Sequence, residues 1–129
     1  MMPHTAPVEH LWLPGHGIRL HALAFSESRV EAPPVLLLHG VTGHAWLWHD
    51  VAIDLSSTRR VIACDLRGHG DSGWSADGAY RTEDHMADLA SVIDDLGAAS
   101  VAIVGLSWGA RSEEHTSELQ SRQYLVCRL

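Results

Sequence analysis

"SVAIVGLSWGA", Ser100 to Ala110, contains the junction on which the reading of this chain turns. Val101 to Val104 form a continuous apolar run, as expected of a short strand buried on both faces. Gly105-Leu106-Ser107-Trp108-Gly109 follows without a spacer. A Gly-x-Ser-x-Gly directly after a buried strand fits a sharp strand-to-helix turn. Gly105 and Gly109 let the neighbouring backbone pack closely. The Ser107 hydroxyl would then stand clear of the sheet at a helix N-terminus, where developing negative charge is favoured.

Working outward, two similar runs precede this one. "VLLL", Val35–Leu38, ends in His39-Gly40-Val41-Thr42-Gly43, and "VIAC", Val61–Cys64, ends in Asp65-Leu66-Arg67-Gly68-His69-Gly70-Asp71-Ser72-Gly73. Helical patterns lie between them. Trp48, Val51, Ala52 and Leu55 recur at helical spacing. Met86, Leu89, Val92, Ile93 and Leu96 form a second stripe, with Thr82 as expected N-cap and Gly97 as stop. At the front, Val8–Leu13 and Ile18–Phe25 read as a hairpin turning at Pro14-Gly15. In its second strand Ile18, Leu20 and Ala22 should face the core, and Arg19 and His21 the solvent. The expected fold is α/β: a mostly parallel sheet with an N-terminal antiparallel hairpin and flanking helices.

The chemistry implied by the elbow is nucleophilic. The Gly-rich turn at His39-Gly40 can aim a backbone N–H at the same place as the N–H of Trp108. Two such donors make an oxyanion hole, each worth about 3 kcal/mol of barrier.

The three marks together, His39-Gly40, Asp65 to Ser72 and Gly105 to Gly109, resemble the α/β-hydrolase family over about residues 8–110. The resemblance implies Ser107 as nucleophile, with the N–H groups of Val41 and Trp108 holding the oxyanion. It makes the Asp65–Ser72 loop, Asp65 included, structural. It implies a serine hydrolase that cleaves an ester or similar acyl bond through an acyl-enzyme, without a cofactor. Relatives that open epoxides or displace halides carry Asp at the nucleophile position, and Ser107 argues against both. Perhydrolases and carbon–carbon bond hydrolases keep the serine. The family places an acid and then a histidine after the serine.

That order meets a break in composition. All eleven Gly, all five Pro and every Ala lie at or before Ala110. Residues 1–110 carry a net charge of −7, and residues 111–129 carry none. Arg111, Ser112, Glu113 and Glu114 would bring charge into a helix that should pack on the sheet. "RSEEHTSELQS" resembles the translation of a DNA-sequencing adapter. Residues 1–110 are therefore expected to be the N-terminal part of a hydrolase domain, and 111–129 a non-native, irregular tail. The strand before the elbow would then be an open sheet edge. The chain as written is expected to be inactive for want of the acid and the histidine, His115 being too close to Ser107 to serve. Its competing description is a non-catalytic, hydrolase-like binding module.

Composition sets further bounds. The net charge of −7 and the absence of Lys argue against nucleic acid as a partner. No run is long enough for a membrane span and no signal peptide is visible, so a cytoplasmic protein with a small-molecule substrate is expected. Two Cys make no disulfide framework. The ten His suggest no metal site: His44 and His49 miss the i, i+4 spacing, and His10, His16 and His21 scatter over the hairpin. Trp46 and Trp48 could line a pocket or fill the core.

Overall fold

The computed structural model of the chain describes residues 8–25, 32–40, 42–106 and 123–128. Strands β1 (Val8–Pro14) and β2 (Arg19–Phe25) form the hairpin, with Trp12 opposite His21. β3 (Val35–Leu38) is followed by a single 3-10 turn, Ala45–Trp48, and by helix α1 (His49–Leu55). β4 (Val61–Cys64), helix α2 (Thr82–Leu96) and β5 (Ser100–Gly105) complete the alternation, and β6 (Gln123–Arg128) lies at the edge. The sheet order is β1-β2-β4-β3-β5-β6. β1/β2 and β2/β4 pair antiparallel, and every pair from β4 to β6 is parallel. The expected class is therefore the observed one.

Each face of the sheet carries its own core. Alternate residues of β2, β3, β4 and β5, such as Leu20, Leu36, Ile62 and Ile103, meet Met86, Leu89, Val92 and Ile93 of α2. The intervening residues Leu23, Leu37 and Ala63 meet Ala45, Trp48 and Ala52 on the other side. This two-sided cover is why the strands read as unbroken apolar runs. Truncating Ile93, which is 1% exposed, would cost about 2–5 kcal/mol.

Helix α2 ends where the sequence indicates, with Gly97 left-handed at φ 66°. Its start differs by one residue. Arg81 occupies the N-cap, and its N–H donates to Asp84 Oδ2 at 2.9 Å. Thr82 is the first helical residue. The acidic first turn does the capping because Asp84 lies three residues on, within reach of that N–H.

Three other expectations change. The second face of β2 is not wet: His21 is 1% exposed, because β2 lies between β1 and β4 and the 3-10 turn packs near it. Val51 is 47% exposed although its spacing marked it as apolar stripe; with α1 only seven residues long, Ala52 fills the contact to the sheet. Finally, β5 is not an open edge. Within the segment expected to be irregular, Gln123–Arg128 pair with it in parallel register, Ser100 opposite Gln123 and Gly105 opposite Arg128.

No helix among the described residues is long and apolar enough to cross a membrane.

Candidate active site

The three motifs converge at the C-terminal ends of neighbouring parallel strands. β3 lies between β4 and β5, with Leu38 opposite both Cys64 and Gly105. His39-Gly40, Asp65 and Gly105 thus leave the sheet side by side. In open α/β sheets this end is where ligands bind. The N–H of Leu106 donates to Leu38 O at 3.0 Å, so the β3–β5 ladder holds to the last residue before Ser107. Ser107, Trp108 and Gly109, together with Val41, lie outside the described residues. Of the expected site residues, His39, Gly40 and Gly105 are placed.

His39 is fully buried and ties two of these ends together. Its Nδ1–H donates to Gly40 O at 2.7 Å, and its Nε2 accepts the Leu66 N–H at 3.0 Å. One nitrogen donating and one accepting fixes a neutral ring. Burial pushes its pKa below the ordinary histidine value, although the bond to Gly40 opposes the shift. The role is structural: His39 joins the turn after β3 to the loop after β4. Thr42, two residues beyond Gly40, takes φ 70°, an uncommon conformation for a residue with a Cβ. Such backbone is found where a loop is held for a purpose.

Asp65 anchors the second loop from inside, as expected. Its Oδ1 accepts the Ala45 N–H at 2.7 Å; its Oδ2 accepts the Asp71 N–H at 3.1 Å and His21 Nδ1–H at 2.6 Å. Burial alone would raise its pKa, but these bonds outweigh burial and hold it below the usual value. Gly70 makes room for this carboxylate. It sits at φ 49°, and a Cβ there would overlap the Asp65 side chain. Ser72 completes the lock, accepting from His21 N at 2.8 Å and donating to Asp65 O at 2.6 Å.

Arg67 ties the loop to helix α2, through a partner that the sequence does not reveal. Its Nε and one terminal nitrogen clamp Asp88 of α2 at 2.7 and 2.8 Å, with both side chains buried. Asp88 also accepts the His16 N–H at 2.8 Å. Asp88 lies inside the helical stripe, one residue before Leu89, and reads as an ordinary exposed acid. Its only sequence signal is its position next to Leu89. The second missed feature is the contact of His10 Nδ1 with His21 Nε2 at 2.8 Å, eleven residues apart. Two buried groups nearby do not titrate in the ordinary range: burial lowers His85 to about 4 and raises the Cys64 thiol to about 12.

Trp48 belongs to the core, whereas Trp46 is 44% exposed and lies 6.0 Å from the His10 ring. Both lie on the turn that follows the His39 loop.

Comparison with known proteins agrees with this geometry. A family model for the alpha/beta hydrolase fold matches residues 33–111. Epoxide hydrolase B of Mycobacterium tuberculosis is 36% identical over 103 residues, which is 78% of this chain and 29% of that protein. An esterase of the same organism is 37% identical over 93 residues, 70% of this chain and 30% of the esterase. Among solved structures, 2-hydroxy-6-oxo-6-phenylhexa-2,4-dienoate hydrolase of a Rhodococcus strain superposes with a TM-score of 0.81 at 25% identity, covering 96% of this chain and 46% of that one. The chain thus spans under a third of the two sequence relatives.

Proposed function

The chain belongs to the alpha/beta hydrolase family, and from that premise we propose that it carries the nucleophile half of a serine hydrolase acting on an ester or similar acyl bond. Ser107 attacks the substrate carbonyl. The N–H groups of Val41 and Trp108 hold the oxyanion, with His39 and Gly40 shaping one turn and Gly105 and Gly109 the other. A histidine takes the serine proton and returns it to the leaving group, an acid orients that histidine, and water releases the acyl group. In this reading the acid and the histidine belong to the uninterrupted gene beyond Ala110. Residues 111–129 are foreign to it.

The observation that carries the proposal is the pairing of Leu38 with Gly105. It sets the turn expected to supply one oxyanion donor beside the strand that leads into Ser107. Overall identity to an epoxide hydrolase does not decide the reaction; the nucleophile at residue 107 does. A serine activated by a base forms an acyl intermediate from an ester. Carbon–carbon bond cleavage is a second reading, favoured by the likeness to the Rhodococcus hydrolase, which is named for a dienoate substrate.

The test begins with contiguous genomic sequence across codon 110, followed by expression of that reading frame. The frame should encode an acid and a histidine after Ser107. The enzyme should release p-nitrophenol from a short ester with a stoichiometric burst, lost in Ser107→Ala. Epoxide opening without ester cleavage would overturn the proposal. A genome that reads the same nineteen residues would overturn the account of the tail.

A further inference from the structure

We propose that His10 and His21 form a site for a divalent transition metal ion of the zinc, nickel or copper type. The evidence is the orientation of His21. Its ring is 1% exposed, and its Nδ1–H is committed to Asp65 Oδ2 at 2.6 Å. In the neutral ring that bond leaves Nε2 as the lone-pair nitrogen, which accepts from His10 Nδ1–H at 2.8 Å; an ion takes the place of that proton, which passes to Nε2 of His10 as the ring changes tautomer. A buried carboxylate that holds one imidazole nitrogen and turns the other outward is the outer-shell arrangement of metal-binding histidines. It fixes the tautomer and the orientation of the ligating nitrogen.

The hairpin register creates the pair. Trp12 lies opposite His21 and His10 opposite Leu23, so His10 and His21 are diagonal neighbours on one face of β1 and β2. His10 is solvent-exposed, giving the ion an entry path. Two nitrogens bound to one ion at about 2.0–2.1 Å in tetrahedral geometry stand roughly 3.3 Å apart. The present 2.8 Å gap must therefore open by about half an ångström, and the exposed ring of His10 can move that far. Water completes the shell, so the ion would be exchangeable. Imidazole donors suit zinc, nickel and copper and disfavour magnesium and calcium.

The opposite side of the His21 ring is a poorer alternative. There Nδ1, Asp65 and Asp71 offer donor atoms within 4.8 Å of one another. The Asp65 oxygens are already occupied by the Ala45 and Asp71 N–H groups and by His21 itself. An ion on that side would have to break the lock that holds the loop. Asp65 is accordingly placed in the outer shell.

The experiment titrates the full chain, stripped of metal by a chelator, with zinc or nickel ion alone in a non-coordinating buffer. Calorimetry should show one equivalent bound, weakened at least tenfold in His10→Ala and unchanged in His44→Ala and His49→Ala. Because His10 is exposed, its replacement should leave the circular dichroism spectrum intact. Substoichiometric copper(II) provides a readout on the unaltered chain: it should broaden the imidazole proton signals of His10 and His21 before those of other histidines. Equal affinity in His10→Ala, or broadening that begins at other histidines, would overturn the assignment.

Discussion

Asp88→Ala should destabilise the fold more than a change at any exposed acid, because it strips a buried cation of its counter-charge. Arg67 Nε and a terminal guanidinium nitrogen reach the two carboxylate oxygens at 2.7 and 2.8 Å, and the two side chains are 3% and 7% exposed. The aspartate also satisfies the His16 N–H at 2.8 Å. Removing one partner of a buried pair costs about 3–5 kcal/mol, mainly as the penalty for the charge left behind. An unfolding entropy of about 2.1 cal/mol/K per residue makes each kcal/mol worth roughly 4 °C in a chain of 129 residues. The melting temperature should therefore fall by roughly 10–20 °C. The control is Asp95→Ala on the exposed side of α2, expected within about 0.5 kcal/mol of the parent. Urea unfolding followed by circular dichroism reads both. The double variant Arg67→Met with Asp88→Leu should recover part of the loss, since no charge is stranded. Recovery stays partial because Arg67 also donates to Ala79 O and His16 O, which the variant leaves without that donor. A loss under about 1 kcal/mol in Asp88→Ala would refute the view that this pair pins the loop to the helix.

Other outcomes follow from the same network. Stability should fall as pH drops from 6.5 towards 4, because in that window the unfolded chain takes up a proton that buried His85, lowered to about 4, refuses. That shift is worth on the order of 3 kcal/mol, and His85→Gln should flatten the pH profile of the urea midpoint. Below the ordinary carboxylate range the depressed Asp65 adds a further loss as its native-state bonds are protonated away. Gly70→Ala should cost at least about 1–3 kcal/mol by the same urea assay, since φ 49° is strained for a side chain and the new Cβ meets Asp65. In a Cys127→Ser background, Cys64 should resist an aromatic disulfide reagent until the protein unfolds, because its thiol is buried and its pKa raised to about 12.

The sequence reveals the parts that depend on local pattern. Three apolar runs, each ending in a glycine-rich turn, announced three parallel strands and the shared end at which His39, Asp65 and Gly105 leave the sheet. The stop at Gly97 was equally local. Features that depend on register or on packing across the sheet were not legible. His21 alternates with Leu20 and Ala22 and so reads as solvent-facing; its place on a central strand, with the 3-10 turn packed near it, buries it. That burial, with Asp65 behind it, is what brings His10 and His21 into contact. Asp88 looks like any polar residue in an amphipathic helix until the loop carrying Arg67 folds over it. The pairing of Gln123–Arg128 with β5 is unforeseen because reading residues 111–129 as foreign passes over Tyr124–Cys127, itself a short apolar run like the other strands.

The proposed chemistry requires an activated nucleophile at residue 107. The measurement that tests it most directly is mass-spectrometric mapping of a fluorophosphonate probe on the protein expressed from the uninterrupted reading frame. One covalent adduct per chain is expected, located on Ser107 and absent from Ser107→Ala. An unlabelled Ser107 in that folded protein, or an adduct that persists at another residue in the alanine variant, would contradict it.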